Sequence, residues 1–304
     1  MAMRWQSSVP GTWRPTPLVR ASLWAHGVGM PLVAAGAPGW PWLLGGLVFS
    51  HVAMAAGLHP HCQWVGRTLT RLPHGGMAPS GDVALTFDDG PDPSATPRIL
   101  DLLDAAGARA SFFCIGTRAA RHPALIARMI ASGHRVENHT WSHPATFAAH
   151  GRQRMAAEVL RAQRVLAELA GTPPRWMRAP AGLRSPLLEP VLAGAGLRHA
   201  SWTRRAYDGR CIDPAIVAAR LIRGLAPGDV LLLHDGSSAR MPLFPAGAGG
   251  GGTVAAAALP AVLDAIRARG LRAVALPPPL AVPALPGDAA TPAAAHVART
   301  PASA

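Results

Sequence analysis

Apolar and polar positions divide the chain into two regimes. From about residue 21 to 58 apolar residues run almost unbroken, in two stretches (21–37 and 40–58) separated by a turn at Pro38, Gly39 and Pro41. Each approaches the roughly 20 residues that cross a bilayer as a helix. The pattern predicts a transmembrane helical hairpin. From residue 81 the texture changes to short apolar runs alternating with stretches of helical spacing. Strands are expected over 83–87, 110–115, 134–136, 175–177, 197–202, 230–233 and 271–276. Helices are expected over 94–106, from after 115 to 132, and over 153–170, 185–195, 213–225 and 254–269. Ser94 is placed to cap the first of these helices, Ser185-Pro186 to start a later one, and Asp213-Pro214 another. Regular strand–helix alternation argues for a parallel, barrel-like α/β domain. Residues 277–304 are rich in Pro and Ala without periodicity and read as a disordered tail. The chain is thus expected to comprise an N-terminal membrane region (1–77), an α/β domain (78–276) and a tail (277–304).

Charge sharpens the N-terminal reading. Residues 1–81 contain no Asp or Glu, and Arg4, Arg14 and Arg20 precede the hairpin while Arg67 and Arg71 follow it. The positive-inside rule then puts both ends, and the α/β domain, on the cytoplasmic side of a bacterial-type inner membrane. Trp24, Trp40 and Trp42 suit the interface. A signal peptide ending near residues 34–36, or an amphipathic segment packed on the following domain, are the alternatives. His26, His51, His59 and His61 bring a haem site to mind, but nothing else in the stretch supports one. Over all 304 residues the net charge is +13, carried by arginine without a single lysine. The arginines are scattered and aromatic residues are only 5%, which disfavours a nucleic-acid partner and leaves a membrane surface as the better match. Three cysteines without a C-x-x-C pair argue against a disulfide scaffold. Cys114, at the end of an apolar strand, reads as a buried thiol.

The chemistry gathers at strand ends. Val83–Asp92 reads V-A-L-T-F-D-D-G-P-D, an apolar strand that ends in two adjacent carboxylates. Neighbouring side chains on a strand diverge, so one carboxylate can hold a metal while the other faces what is bound to it. Alone, D-D-G-P is also an ordinary acidic turn. Asn138–Pro144 reads N-H-T-W-S-H-P. His139 and His143, four apart, share a face on one helical turn. Two imidazoles and one carboxylate leave open positions on a divalent ion, as a catalytic site requires. Arg178–Gly182 reads R-A-P-A-G; the arginine can keep a carboxylate ionised, and the loop amides can face an oxyanion. Trp202 and Asp208 follow in W-T-R-R-A-Y-D-G. Leu231–Gly236, L-L-L-H-D-G, mirrors the first motif and delivers His234 to a strand mouth, where it can act as a general acid.

T-F-D-D-G-P, H-T-W-S-H, R-A-P-A-G, the W…D segment and L-L-L-H-D-G occur in the order seen in polysaccharide deacetylases, the carbohydrate esterase family with the NodB homology domain. The resemblance covers roughly residues 81–276. It implies a distorted (β/α) barrel and a metal-dependent amide hydrolase. Carried over by position, Asp89, His139 and His143 look like the metal ligands, and the ion suits zinc, with cobalt, nickel or iron also compatible. Asp88 resembles the general base, Arg178 its orienting partner, His234 the acid, and Asp208 the carboxylate that tunes it. Leu232, with Pro180, Ala181 and Trp202, looks like the substrate pocket. Two positions depart from the family pattern. An aromatic residue usually stands where Ala181 does. Asp-x-x-Asp-Trp is usual where this chain has Arg205, Asp208 and Gly209.

The resulting expectation is a membrane-anchored hydrolase that removes an N-acyl group, acetyl or formyl, from an amino sugar. A cytoplasmic domain favours a lipid-linked glycan; an outward-facing one favours a cell-wall or secreted polysaccharide. The alternative is a non-catalytic carbohydrate- or lipid-binding module on a degenerate scaffold.

Overall fold

The structure, a computed structural model, describes residues 13–73, 81–236 and 251–279. Most of the predicted tail, from residue 280 on, lies outside the described residues.

The two N-terminal apolar stretches do form a helical hairpin. Helix α1 (Pro17–Trp24) runs through a π-helical turn at Ala25–Gly29 into α2 (Met30–Ala34), and α3 (Trp40–Gly57) returns. Among the described residues, however, no helix is long and apolar enough to cross a membrane. The transmembrane reading therefore lacks support. The first stretch is interrupted at its π turn and ends at Ala34. The 18 residues of α3 rise only about 27 Å, and Gly45, Gly46, Ser50 and His51 dilute its apolar character. Polar contacts tie the two arms together: Ser22 and Ser50 hydroxyls lie 2.8 Å apart, and the His26 and His51 rings meet edge to face at 4.9 Å. Each of these imidazoles is bonded through Nδ1 to a carbonyl one turn back.

The α/β domain is an eight-stranded, wholly parallel, curled sheet. In chain order its elements are β1 (Asp82–Asp88), α4 (Thr96–Ala105), β2 (Ser111–Cys114), α5 (Gly116–Arg121), α6 (Pro123–Ala131), β3 (Arg135–Asn138), α7 (Arg152–Ala170), β4 (Trp176–Met177), α8 (Leu188–Ala195), β5 (Arg198–His199), β6 (Arg204–Arg205), α9 (Pro214–Ile222), β7 (Val230–His234), α10 (Gly251–Ala268) and β8 (Arg272–Val274). The order across the sheet is β5-β4-β3-β2-β1-β7-β6, with β8 paired to the start of β1. β1 is buried along its whole length, which is why it reads as a continuous apolar run. Its side chains alternate between two cores. Val83, Leu85 and Phe87 pack outward beneath the helices. Ala84 points inward with Phe113, Trp176, Trp202 and Leu232, and the period of two places Thr86 and Asp88 on that same inner face.

The two sheet edges do not pair with each other. Residues 66–72, a strap arriving from the hairpin, bridge them. Leu69 pairs with Ala200 just past β5, the Thr203 hydroxyl donates to the Thr70 carbonyl at 2.6 Å, and Arg71 pairs with Asp229.

Several local expectations shift. Asp92, not Ser94, organises the start of α4: its carboxylate accepts from the Ser94 and Ala95 amides. The helix expected after β2 splits at Pro123, which cannot donate to the preceding turn. Ser185 and Pro186 lie ahead of α8, with the Ser185 hydroxyl holding the Leu187 amide. Asp213 does cap α9, accepting from Ala215 at 2.8 Å. The extended run over 197–202 narrows to β5, and β6 was not anticipated.

Candidate active site

β1, β3, β4 and β7 deliver their C-terminal residues to one mouth of the sheet. β1 and β7 run in register with Asp88 opposite His234, and β3 and β4 with Asn138 opposite Met177, one residue before Arg178.

Asp88 is almost fully buried, and its oxygens have different neighbours. Oδ1 accepts from Nη1 of Arg178 at 2.6 Å, and Oδ2 faces Nε2 of His139 at 3.9 Å. The Arg178 guanidinium is completely buried. Beyond Asp88 it donates to the Thr86 hydroxyl and to the carbonyls of Ala200 and Ser201, and it stacks on Phe113 at 4.1 Å. Burial pushes the arginine down and Asp88 pushes it back up.

Asp89 turns away from Asp88 because its backbone is left-handed, with φ 73°. Its Oδ1 lies 3.3 Å from Nε2 of both His139 and His143, and this buried oxygen has no hydrogen-bond partner. His139 spends its other nitrogen on the Arg178 carbonyl, 2.7 Å away, so Nε2 is left to face Asp89. The three donor atoms lie within 4.8 Å of one another. An orphaned carboxylate oxygen facing two aligned imidazole nitrogens fits a divalent ion. Burial alone would raise the Asp89 carboxyl, but His143 and His139 beside it hold it well below the usual range. Burial and the carboxylates oppose each other at the imidazoles: His143 ends lowered and His139 raised.

The two histidines do not sit on a helical turn as their spacing suggested. Residues 139–144 form a loop after β3, with Thr140 and His143 at positive φ. Side chains hold it: Asn138 accepts from the Thr140 amide, and Thr140 accepts from the His143 amide.

Across the mouth, Asp208 grips His234 twice, through the backbone amide at 2.7 Å and through Nδ1 at 2.8 Å. Burial disfavours the imidazolium, yet Asp208, aided by Asp89 and Asp88, lifts its pKa to about 9.

Leu232 is buried on the inner face of β7. Trp202 packs against Gly182, where a Cβ would strike the ring, and its edge meets His61 at 5.6 Å. Pro180 is buried, and Ala181 sits at positive φ. A Cβ at Gly209 would meet nothing within 4 Å. Trp202 is thus the indole packed into the site, while Tyr207 is half exposed.

Sequence reasoning missed Thr86, Phe113 and the pair Thr68–His199. Nε2 of His199 accepts from the Ala179 amide at 3.3 Å, so Nδ1 carries the proton and donates to the Thr68 hydroxyl at 2.7 Å. Burial, with Arg184 and Arg178 nearby, keeps this imidazole neutral. The strap therefore supports the Arg178 loop from behind.

Residues 75–200 match the family model described as polysaccharide deacetylase. The chain is 42% identical over 172 residues to a protein of Sinorhizobium fredii named chitooligosaccharide deacetylase, an overlap covering 55% of this chain and 78% of that one. It is 37% identical over 167 residues to the protein of that name from Bradyrhizobium sp., covering 55% and 76% respectively. Among solved structures, a family 4 carbohydrate esterase from Streptomyces lividans, in complex with acetate, superposes with a TM-score of 0.57 at 29% identity, covering 68% of this chain and 98% of that chain.

Proposed function

We propose that this chain, which belongs to the polysaccharide deacetylase family, hydrolyses the N-acetyl amide of an amino sugar within a glycan. The observation that carries the reading is the presence of two charged pairs, Asp88–Arg178 and His234–Asp208, at the same strand mouth as the cluster of Asp89, His139 and His143.

Asp89, His139 and His143 would hold a divalent ion, zinc by the chemistry of the donor set. Such an ion supplies Lewis-acid polarisation of the amide carbonyl and a water that ionises near neutral pH. Asp88 is oriented by Arg178, and it takes the proton of the attacking water. His234, held as imidazolium by Asp208, gives its proton to the departing nitrogen. The water oxygen joins the acyl carbon, the C–N bond breaks, and acetate and the free amine leave. In the loop Arg178–Gly182 the amides of Arg178, Ala179 and Gly182 are bonded within the protein, and Pro180 has none. The Ala181 amide is the one these bonds leave to support the developing oxyanion. Leu232 and Trp202 wall the acyl pocket.

A non-catalytic binding module would not need both proton-transfer pairs intact, so the hydrolytic reading is preferred. Incubating the protein with chitotetraose and zinc tests it. Release of acetate with an equal amount of free amine is expected. No release from any N-acetylated glycan, by protein shown to hold one ion per chain, would overturn the reading.

A further inference from the structure

Arg205 stands on β6 directly opposite the pocket residue Leu232. Its guanidinium carbon lies 5.3 Å from the ring centre of Trp202 and 5.0 Å from that of Tyr207, between an indole inside the site and a phenol 49% exposed at its rim. The Arg178 guanidinium lies 6.0 Å from the same Trp202 ring. Arg205 thus shares this indole as a neighbour with the arginine that holds the proposed base.

Other arginines around the barrel have acceptors. Arg178 has Asp88 and two carbonyls, Arg204 next to it has Asp229, and Arg184 has the carbonyls of Cys62, Gly66 and Arg67. Arg205 differs. Its Nε is buried without a hydrogen-bond partner, and among the described residues no carboxylate pairs with it. A guanidinium fixed between two aromatic faces keeps its in-plane donors free, and that edge is the part that grips planar or tetrahedral oxyanions two bonds at a time. Packing alone does not explain the arrangement. A partly desolvated guanidinium with an unsatisfied buried N–H raises the energy of the fold unless an acceptor meets it.

We propose that Arg205 is a specificity-determining residue that binds an oxyanion, a phosphate or a carboxylate, carried on the glycan near the N-acetylated sugar. The aromatic rings on either side hold the guanidinium and offer flat surfaces to sugar rings. The substrate is then an anionic amino-sugar glycan rather than a neutral chitin oligomer. This rests on the proposed deacetylation only for the position of the acyl group; the anion site stands on Arg205, Trp202 and Tyr207.

The test compares three substrates: neutral chitotetraose, chitotetraose carrying a reducing-end 1-phosphate, and an oligomer alternating N-acetylglucosamine with carboxylate-bearing N-acetylmuramic acid. Wild-type enzyme is expected to show a KM at least about tenfold lower for one of the anionic substrates, and which one identifies the source of the oxyanion. In Arg205→Gln that ratio falls to near one, while Arg205→Lys retains part of it and both variants keep one ion per chain. Binding of the same three oligomers, read by tryptophan fluorescence, gives the answer even without turnover. Equal affinity for neutral and anionic oligomers in the wild type, or a preference that survives Arg205→Gln, overturns the anion site. Absence of turnover with preserved anion preference overturns the deacetylase reading and leaves the anion site standing.

Discussion

The carbonyl oxygen of Arg178 lies 2.7 Å from Nδ1 of His139, while the guanidinium of the same arginine donates to Asp88 at 2.6 Å. One residue therefore orients a candidate metal ligand through its backbone and the candidate base through its side chain. Arg178→Lys separates the two roles. A lysine keeps a charge but cannot reproduce the four side-chain contacts to Asp88, Thr86, Ala200 and Ser201. We expect kcat/KM to fall by roughly 10²-fold or more with metal stoichiometry unchanged, because the carbonyl remains. Kinetics alongside metal analysis checks this.

The Asp208–His234 pair predicts the alkaline limb of the pH profile. The acid works only as imidazolium, and Asp208 raises its pKa to about 9. Activity should therefore fall as pH rises through the pKa of His234. Asp208→Asn removes the charge that favours the imidazolium, so the falling limb moves to lower pH by at least about one unit. An unmoved limb in the pH dependence of kcat would show that another group donates the proton.

The strap makes a long-range prediction. Thr68→Val leaves the Nδ1–H of His199 without its acceptor in a buried site, a loss of roughly 1–3 kcal/mol. Because His199 holds the Ala179 amide, the loop bearing Arg178 should loosen, and kcat should drop more than KM rises. Thr68→Ser restores the hydroxyl and should restore kcat. Failure of that rescue would leave Thr68 a packing residue only.

Glu137 offers a stability test away from the chemistry. It is buried beneath β4, where one carboxylate oxygen accepts from the Arg175 and Trp176 amides, and burial raises its pKa to about 7. The folded state thus holds the proton more tightly than the unfolded chain. The stabilisation is complete below about pH 4.5 and lost as pH rises through about 7, a change of roughly 3 kcal/mol. Glu137→Gln keeps the accepting oxygen and removes the titration. Glu189 and Asp235 are also raised to about 7, so the informative quantity is the difference between variant and wild type in urea unfolding at pH 5 and pH 8. The variant should gain relative stability at pH 8, and an equal difference at both pH values would refute the assignment.

Much of this was legible in the chain. An apolar run ending abruptly in Asp88-Asp89, and another ending in His234, announce buried strands with chemistry at their mouths, because only a fully covered strand carries so little polarity. Other features were hidden by their physics. His139 and His143 have helical spacing but stand in a loop, because side-chain bonds from Asn138 and Thr140 stabilise positive φ there. β6 consists of two arginines, so no hydrophobic signal marks it. Thr68 and His199 meet across 131 residues, beyond the reach of any local pattern. The N-terminal stretches were long and apolar enough to suggest a bilayer. Among the described residues, however, no helix is long and apolar enough to span one, so that reading goes without support.

The most direct measurement is of metal content and turnover in the same samples. Wild-type protein stripped by a chelator should lose deacetylation of its glycan and regain it with one equivalent of zinc per chain. Asp88→Asn should bind that same equivalent and stay at least about 10²-fold slower. Undiminished turnover by the stripped wild type, or full activity in zinc-loaded Asp88→Asn, would contradict an account built on Asp89, His139 and His143 as ligands and Asp88 as the base.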